Sequence, residues 1–176
     1  MTKKYSLTTN TTCIGETVLY QIKCEYTFGA VLKGELGGWI EKEGNLSQEG
    51  NAWVSGDASV YGNAWISGDA RVYGIAWISG DARVYGDASV YGNAWISGNA
   101  SVYGNASVSG NAWISGNAWI SGDARVSGDA WISGNAWISG DASVCCRHVF
   151  TTTKAVEMFV KYDKAIHELM EKMQYE

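Results

Sequence analysis

Apolar and polar residues alternate in units of six over more than half of the chain. A glycine falls at every sixth position from Gly50 to Gly140, and nearly every unit reads Gly, Asn or Asp, Ala, a variable residue, Val or Ile, and a second variable residue. This alternation has the period of a short β-strand, and the Gly-Asn or Gly-Asp pair favours a tight corner. A strand of about four residues and a two-residue corner, repeated without interruption, predict a β-solenoid.

The fixed and variable positions of the unit predict which side chains point inward. Alanine is invariant at its position in the array, and the position two residues later is always Val or Ile. Both are expected to face a narrow aliphatic core, with the variable residues outside. Two units would make a coil of 12 residues and three a coil of 18. The variable positions match about equally well at both spacings, so periodicity alone leaves both open.

Residues 1–49 depart from the repeat. Tyr5–Leu7 and Val18–Lys23 are predicted to be short strands joined by a polar turn around Thr9–Glu16. The sequence 39–41 and the sequence 44–47 look like degenerate units, as expected of the terminal coils of a solenoid. Three glycines between the strands and these units predict a loop, namely Gly34, Gly37 and Gly38.

The last segment changes character again. Apolar residues at 156, 159, 160, 166, 169, 170 and 173 fall on one helical stripe, and Thr152 or Thr153 can cap the start of a helix. We expect this helix to cover the last coil, because an open solenoid end exposes unpaired backbone. Dimerisation is the competing use of the helix, and the two uses are compatible. The predicted domains are an N-terminal β cap with degenerate coils at 1–49, the β-helix at 50–145, and a linker with a capping α-helix at 146–176.

The unit [V/I]-x-G-[N/D]-A-x resembles the hexapeptide repeat of the LpxA-like superfamily, whose members form left-handed parallel β-helices with three units per coil. The stretch from Phe28 to Val54 is also similar to the segment before the repeat in YdcK-like proteins of enterobacteria, and in phage and prophage proteins with long G-D-A-R-V-Y arrays. The resemblance covers most of residues 4–145. It implies a left-handed all-β solenoid with three units in each coil, and a phage or prophage gene.

Composition narrows the classes of function. The net charge is −5 and no basic stretch occurs, which argues against a protein that binds nucleic acid through its phosphates. No apolar run approaches the roughly 20 residues of a transmembrane helix, and the N-terminal residues lack the apolar region of a signal peptide. We therefore expect no membrane association and a cytoplasmic location, the host cytoplasm for a phage protein. The four cysteines are expected to be reduced thiols.

Enzymatic chemistry has few candidate residues. Acyltransferases and γ-class carbonic anhydrases with this coil place histidines at a trimer interface, as a general base or as three zinc ligands. This chain contains only His148 and His167, both outside the repeat. A three-histidine zinc site is excluded by count, and a divergent acyltransferase would have to act through His148. Cys145 and the adjacent Cys146 are poorly spaced for one metal ion, so no cofactor is expected.

The outward positions hold what distinguishes one unit from another. On an 18-residue coil they form one column of Trp, a second of Trp, Arg and Ser, and a third that is mostly Arg and Ser, while Tyr stacks on Tyr near the corners. The candidate residues for self-association and partner binding are Trp77, Trp95, Trp113, Trp131, Trp65, Trp119, Trp137, Tyr73, Tyr91, Tyr85, Tyr103, Arg71, Arg83 and Arg125. These residue types are enriched at binding hot spots, and exposed apolar patches usually mark interfaces. Stacking alone can also stabilise a solenoid.

These observations predict a non-enzymatic phage or prophage β-solenoid that self-associates and binds a partner protein through its aromatic columns. A second copy is the first candidate occupant, a host or phage protein is the second, and carbohydrate is the third. Blocking of a host factor is one form that the second would take. The alternatives are a divergent acyltransferase and a structural rod or carbohydrate-binding component of a virion. Corner aspartates could mimic nucleic acid, although they also serve as turn formers.

Overall fold

The computed structural model describes residues 2–145 and the strand Val149–Phe150. This part of the chain is an all-β parallel solenoid of about six coils, with about 18 residues in each turn. The fold class predicted from the sequence is confirmed. The C-terminal helix predicted within 146–176 lies outside the described residues, as do His148 and His167. The left-handed sense implied by the resemblance stays a prediction.

Three parallel sheets form the sides of the solenoid, and successive short strands go to successive sheets. The sheet that we call the Trp face contains β3 (Leu36–Ile40), β5 (Ser59–Val60), β8 (Trp77–Ile78), β11 (Trp95–Ile96), β14 (Trp113–Ile114), β17 (Trp131–Ile132) and β20 (Val149–Phe150). The mixed face contains β6 (Trp65–Ile66), β9 (Arg83–Val84), β12 (Ser101–Val102), β15 (Trp119–Ile120) and β18 (Trp137–Ile138). The Arg face contains β4 (Trp53–Val54), β7 (Arg71–Val72), β10 (Ser89–Val90), β13 (Ser107–Val108), β16 (Arg125–Val126) and β19 (Ser143–Val144).

Strand pairing decides the length of the coil. Trp95 pairs in register with Trp77 on one side and Trp113 on the other, so equivalent positions lie 18 residues apart and the 12-residue coil is ruled out. Each strand of the array pairs over two residues, from Trp53–Val54 to Ser143–Val144, and not over about four as the repeat suggested. The strands are short because the turn at each glycine takes up the rest of the unit.

The core is as narrow as the invariant alanines predict. Every repeat Ala from Ala52 to Ala136 is at most 1% exposed, and so is the Val or Ile that follows two residues after each repeat Ala, from Val54 to Val144. Because burial of a Val or Ile side chain contributes about 1.5–3 kcal/mol, these stacked columns are the main apolar support of the fold. The inward assignment made from the repeat is confirmed.

The corner glycines meet two separate demands. From Gly50 to Gly140 they have φ between +64° and +78°, a left-handed conformation that side chains with a Cβ disfavour. In addition, a Cβ placed on any of the glycines from Gly50 to Gly122 would lie 2.4–3.1 Å from a backbone atom of the glycine one coil further on. The array therefore needs glycine both for the turn and for the close approach of successive corners.

An antiparallel hairpin precedes the solenoid and extends the Trp face. It consists of β1 (Tyr5–Ile14) and β2 (Thr17–Cys24), and β2 pairs with β3. The polar turn predicted around Thr9–Glu16 is wrong, because the threonine-rich stretch continues β1 and only Gly15 and Glu16 turn the chain. β-Branched threonine favours the extended strand.

Two of the glycines assigned to a loop are also placed differently. Gly37 and Gly38 lie within β3, and only Gly34 turns the chain with a positive φ of 89°. A Cβ on Gly37 would lie 2.5 Å from Ile22 Cγ1 and 2.6 Å from the Val54 carbonyl oxygen. Glycine at this position allows close packing between the hairpin and the first coil, which sequence alone did not reveal.

The degenerate units form the first coil. Trp39 pairs with Ser59 in register, and Leu46 forms a bridge with Ile66. Both pairs join residues 20 positions apart in the sequence, so this coil is two residues longer than the regular ones. A short 3-10 helix, Glu43–Asn45, lies at its corner.

Two side chains replace backbone donors at this end of the solenoid. Lys4 Nζ donates to the Ala52 carbonyl at 3.0 Å, and Asn45 Nδ2 donates to the carbonyls of Ala64 at 2.9 Å and Gly62 at 3.1 Å. In regular coils the same carbonyl positions accept N–H groups of the preceding coil. Burial lowers the pKa of Lys4 to about 8. The hairpin and first coil thus satisfy the open end of the array with side-chain hydrogen bonds.

Candidate functional site

Four indoles line up along the Trp face, and we call them the Trp column: Trp77, Trp95, Trp113 and Trp131. The rings of Trp95 and Trp113 are nearly parallel at a centroid distance of 5.0 Å, and those of Trp113 and Trp131 at 5.3 Å. Trp77 is tilted by 55° relative to Trp95. The exact register of the parallel strands produces this column, since it places equivalent side chains one above another at the strand spacing of about 4.8 Å.

The stacking determines what the Trp column presents to its surroundings. Parallel rings at 5.0–5.3 Å between centroids overlap like tiles, because ring planes in contact are only about 3.5 Å apart. Much of each inner ring face is covered by its neighbour, and the ring edges form a ridge. Trp113 is 39% exposed and Trp131 is 46% exposed. The column is a firm apolar ridge more than a set of separate open ring faces.

The mixed face carries the most exposed indoles. Trp65 and Trp119 are each 47% exposed and Trp137 is 49% exposed. Trp119 and Trp137 are tilted by 59° with centroids 5.9 Å apart, so they do not overlap as the Trp column does. Arg83 and Ser101 lie between Trp65 and Trp119 in the same register. This face therefore offers aromatic and cationic groups side by side.

Tyrosine pairs stack next to the corners, as the 18-residue coil predicts. Tyr73 lies on Tyr91 at 4.9 Å, and Tyr85 lies on Tyr103 at 5.0 Å between ring centroids. Burial raises the pKa of Tyr73 and of Tyr85, while hydrogen bonds from serine hydroxyls lower the pKa of Tyr91. The pairs extend the aromatic surface beyond the indoles.

The Tyr pair at the mixed face also joins its indoles. The ring of Tyr103 meets the ring of Trp119 edge to face, with 6.2 Å between centroids. Edge-to-face contacts of this kind are favourable for aromatic rings. The tyrosines next to this corner and the indoles of the mixed face therefore form one continuous surface.

The Arg face is polar. Arg71 and Arg125 are exposed and separated by Ser89 and Ser107 in register. Among the described residues, no carboxylate lies within salt-bridge distance of either Arg or of Arg83. The three cations are thus available to a partner, but only Arg83 stands among exposed indoles.

Sequence reasoning brought the fourteen candidate residues onto the correct columns but missed two features. Ile75 replaces the Asn or Asp of its unit and is 55% exposed, so it adds an aliphatic group at the corner before Trp77. Trp53 occupies an outward position yet is only 5% exposed. Phe28 and Tyr5 from the N-terminal cap lie against it, with ring centroids 5.6 and 6.5 Å away. The position of a residue in the unit determines whether its side chain points outward, whereas the N-terminal cap determines how much of Trp53 remains exposed.

Three further kinds of feature were expected or excluded from the sequence, namely a metal site, a membrane span and disulfides. No group of three or more His, Cys, Asp or Glu residues is placed to hold a metal ion in this part of the chain. No helix within it is long and apolar enough to cross a membrane. Cys24 is buried, Cys13 is exposed, and neither takes part in a disulfide there.

Comparison with known families agrees with this architecture. Residues 76–92 and 118–134 match a family model described as the YdcK Beta solenoid repeat. Each match spans nearly one coil, and the two start on different faces, because Ala76 precedes a Trp-face strand and Ala118 a mixed-face strand. A search of curated proteins gives no significant match. The matched segments and the observed coil together support a YdcK-like β-helix.

Proposed function

We propose that this protein is a non-enzymatic β-solenoid that self-associates and binds a partner protein through its outward aromatic columns. The observation that carries the proposal is the exposure of the indoles, which reaches 46–49% at Trp131, Trp65, Trp119 and Trp137. Several large apolar side chains that remain this accessible on the surface of one protein are typical of interfaces. The solenoid keeps them at fixed spacing, which lowers the entropy lost on binding.

The Trp column suits a protein partner better than it suits carbohydrate. Pyranose rings bind to open indole faces, but the inner rings of the Trp column cover one another, so this ridge suits a flat protein surface better than a sugar. A protein also matches the combination of Trp, Tyr and Arg that dominates binding energy at protein interfaces. We therefore place a protein first for both aromatic faces, ahead of carbohydrate.

A phage or prophage origin, with a host protein as the bound and blocked partner, is part of this proposal. It is supported by the resemblance to phage and prophage arrays with the G-D-A-R-V-Y unit, which occurs here at Gly68–Tyr73 and Gly80–Tyr85. A cytoplasmic location in the host follows from the same proposal. The surface that would contact the host protein is the Trp column.

The test removes the middle of the Trp column without touching the core. In the double variant Trp95→Ser with Trp113→Ser, the captured partner from a bacterial lysate should be lost while the circular dichroism of the β-solenoid persists. The matched control is Ser89→Ala with Ser143→Ala on the Arg face, which should capture the partner as the wild type does. Equal capture by both double variants would show that the Trp column only stacks on itself, and the structural-rod alternative would then be favoured.

A further inference from the structure

We infer that the mixed face is the self-association surface and that it pairs with the mixed face of a second copy, with the two solenoids antiparallel and a two-fold axis at Ser101. This inference rests on the proposed function and assigns one of its two aromatic surfaces. It leaves the Trp column for the partner protein. The argument depends on the order of side chains along the face, on their exposure and on charge.

The order of residues along the mixed face is self-complementary. Read along the solenoid, the outward residues are Trp65, Arg83, Ser101, Trp119 and Trp137, each one coil from the next. If a second copy faces the first and is rotated by 180° about an axis through Ser101, Trp65 of each copy lies against Trp137 of the other. Arg83 of each copy likewise lies against Trp119 of the other, so each contact occurs twice. A two-fold interface requires this kind of reciprocal match, because both copies use the same patch.

The antiparallel arrangement also separates the positive charges. Each Arg83 would face the Trp119 indole of the other copy, a favourable cation–π arrangement. The two Arg83 side chains would then lie about two coils apart, roughly 10 Å at the strand spacing. Parallel solenoids would instead place Arg83 directly against Arg83. Charge therefore selects the antiparallel pairing.

Among the described residues of one copy, Arg83 makes no cation–π contact. It is exposed, it has Trp65 as its in-register neighbour, and no carboxylate among the described residues lies within salt-bridge distance. The one cation–π contact in this part of the chain joins Lys4 to Phe28. The guanidinium is therefore available to reach across an interface, and the tilted rings of Trp119 and Trp137 are not covered by mutual stacking.

The other two faces are less suited to this pairing. On the Arg face, an antiparallel copy centred on Ser107 pairs Arg71 with Ser143 and Arg125 with Ser89, so it places no aromatic ring against either guanidinium. The Trp face has no charged group among Trp77, Trp95, Trp113 and Trp131, so its order gives no preference between parallel and antiparallel copies. Only the mixed face combines high exposure with a pattern that specifies one orientation.

The test exchanges the two residues that face each other. Trp119→Arg alone would place a cation against Arg83 twice in each dimer and remove both cation–π contacts, so we expect the dimer Kd in sedimentation equilibrium to rise roughly 30-fold or more. Adding Arg83→Trp restores one Arg and one Trp at each contact. The double variant should recover a Kd within about fivefold of the wild type, a difference of about 1 kcal/mol.

Controls separate this inference from the proposed function. Ser89→Arg adds the same charge on the Arg face and should leave the Kd unchanged, and the thermal transition of every variant reports on folding. A monomeric wild type, a dimer that tolerates Trp119→Arg, or a failure of the double variant to recover would each overturn the antiparallel pairing. Partner capture that still depends on Trp95 and Trp113 would in those cases leave the partner-binding part of the proposed function standing.

Discussion

Substitution of a corner glycine separates the two demands that the solenoid places on it. Gly110 has φ of +70°, and a Cβ there would lie 2.7 Å from Gly128 N and 2.8 Å from Gly128 O. Gly140 has φ of +66°, and no described residue lies within 4 Å of a Cβ at that position. Gly110→Ala therefore combines left-handed strain with a backbone clash, whereas Gly140→Ala carries the strain alone.

The magnitude follows from the geometry. Left-handed strain costs about 1–2 kcal/mol in either variant, partly offset by the lower entropy of the unfolded alanine chain. At Gly110 the coils would have to separate by about 0.7 Å to bring the Cβ from 2.7 Å to an ordinary contact distance of 3.4 Å. This separation stretches the 2.8 Å hydrogen bond from Asn111 N to Gly128 O. By analogy with overpacked cores we expect a further loss of roughly 1–3 kcal/mol.

The assay is urea unfolding of both variants, followed by tryptophan fluorescence and circular dichroism. We expect Gly110→Ala to lose 1–3 kcal/mol more free energy of unfolding than Gly140→Ala, or about 2–12 °C more in Tm at the usual conversion for a chain of this size. Gly15→Ala, in the hairpin turn with φ of +59° and no atom within 4 Å, is a control away from the C-terminal end. If Gly110→Ala and Gly140→Ala lost the same free energy of unfolding to within 0.5 kcal/mol, about the scatter expected of such comparisons, the argument that successive corners require glycine for close approach would be refuted.

Two predictions concern the N-terminal cap. Asn45→Ala removes the donor to the Gly62 and Ala64 carbonyls and should lower the free energy of unfolding in urea by about 2–4 kcal/mol. Asn45→Asp should lower it further at neutral pH, because it brings an anion to those oxygens. As a control, Asn93→Asp in an exposed corner should change it by less than about 0.5 kcal/mol. The pKa of Lys4 is about 8 in the folded protein and 10.5 when unperturbed. Between these pH values the Lys4 amine binds a proton more strongly in the unfolded chain than in the folded protein. The contribution of Lys4 to the free energy of unfolding therefore rises with pH in this range. Between pH 8 and 10, the free energy of unfolding of the wild type in urea should rise by roughly 2 kcal/mol more than that of Lys4→Met. If the unfolding free energies of the two proteins changed in parallel with pH, burial of an ammonium group at this site would be contradicted.

Much of the candidate site could be read from the sequence because the solenoid translates position in the unit directly into direction. Trp65 and Trp131 were placed outward by their positions in the unit, and both are exposed. The same rule placed Trp53 outward, but the hairpin folds back over it. Contacts between the cap and the array join residues far apart in the chain, so no local pattern could reveal them.

By itself, the sequence determined the repeat unit, its corners and its inward columns, because the spacing of Gly, Ala and Val or Ile reports local backbone conformation and side-chain direction. Tertiary structure alone decided the register of 18 residues, the extra two residues of the first coil, and the use of Lys4 and Asn45 as substitutes for a missing coil. It also decided which outward residues stand together on one face. These features depend on how coils stack on one another, and a sequence in which 12-residue and 18-residue spacings match equally well does not encode that stacking locally.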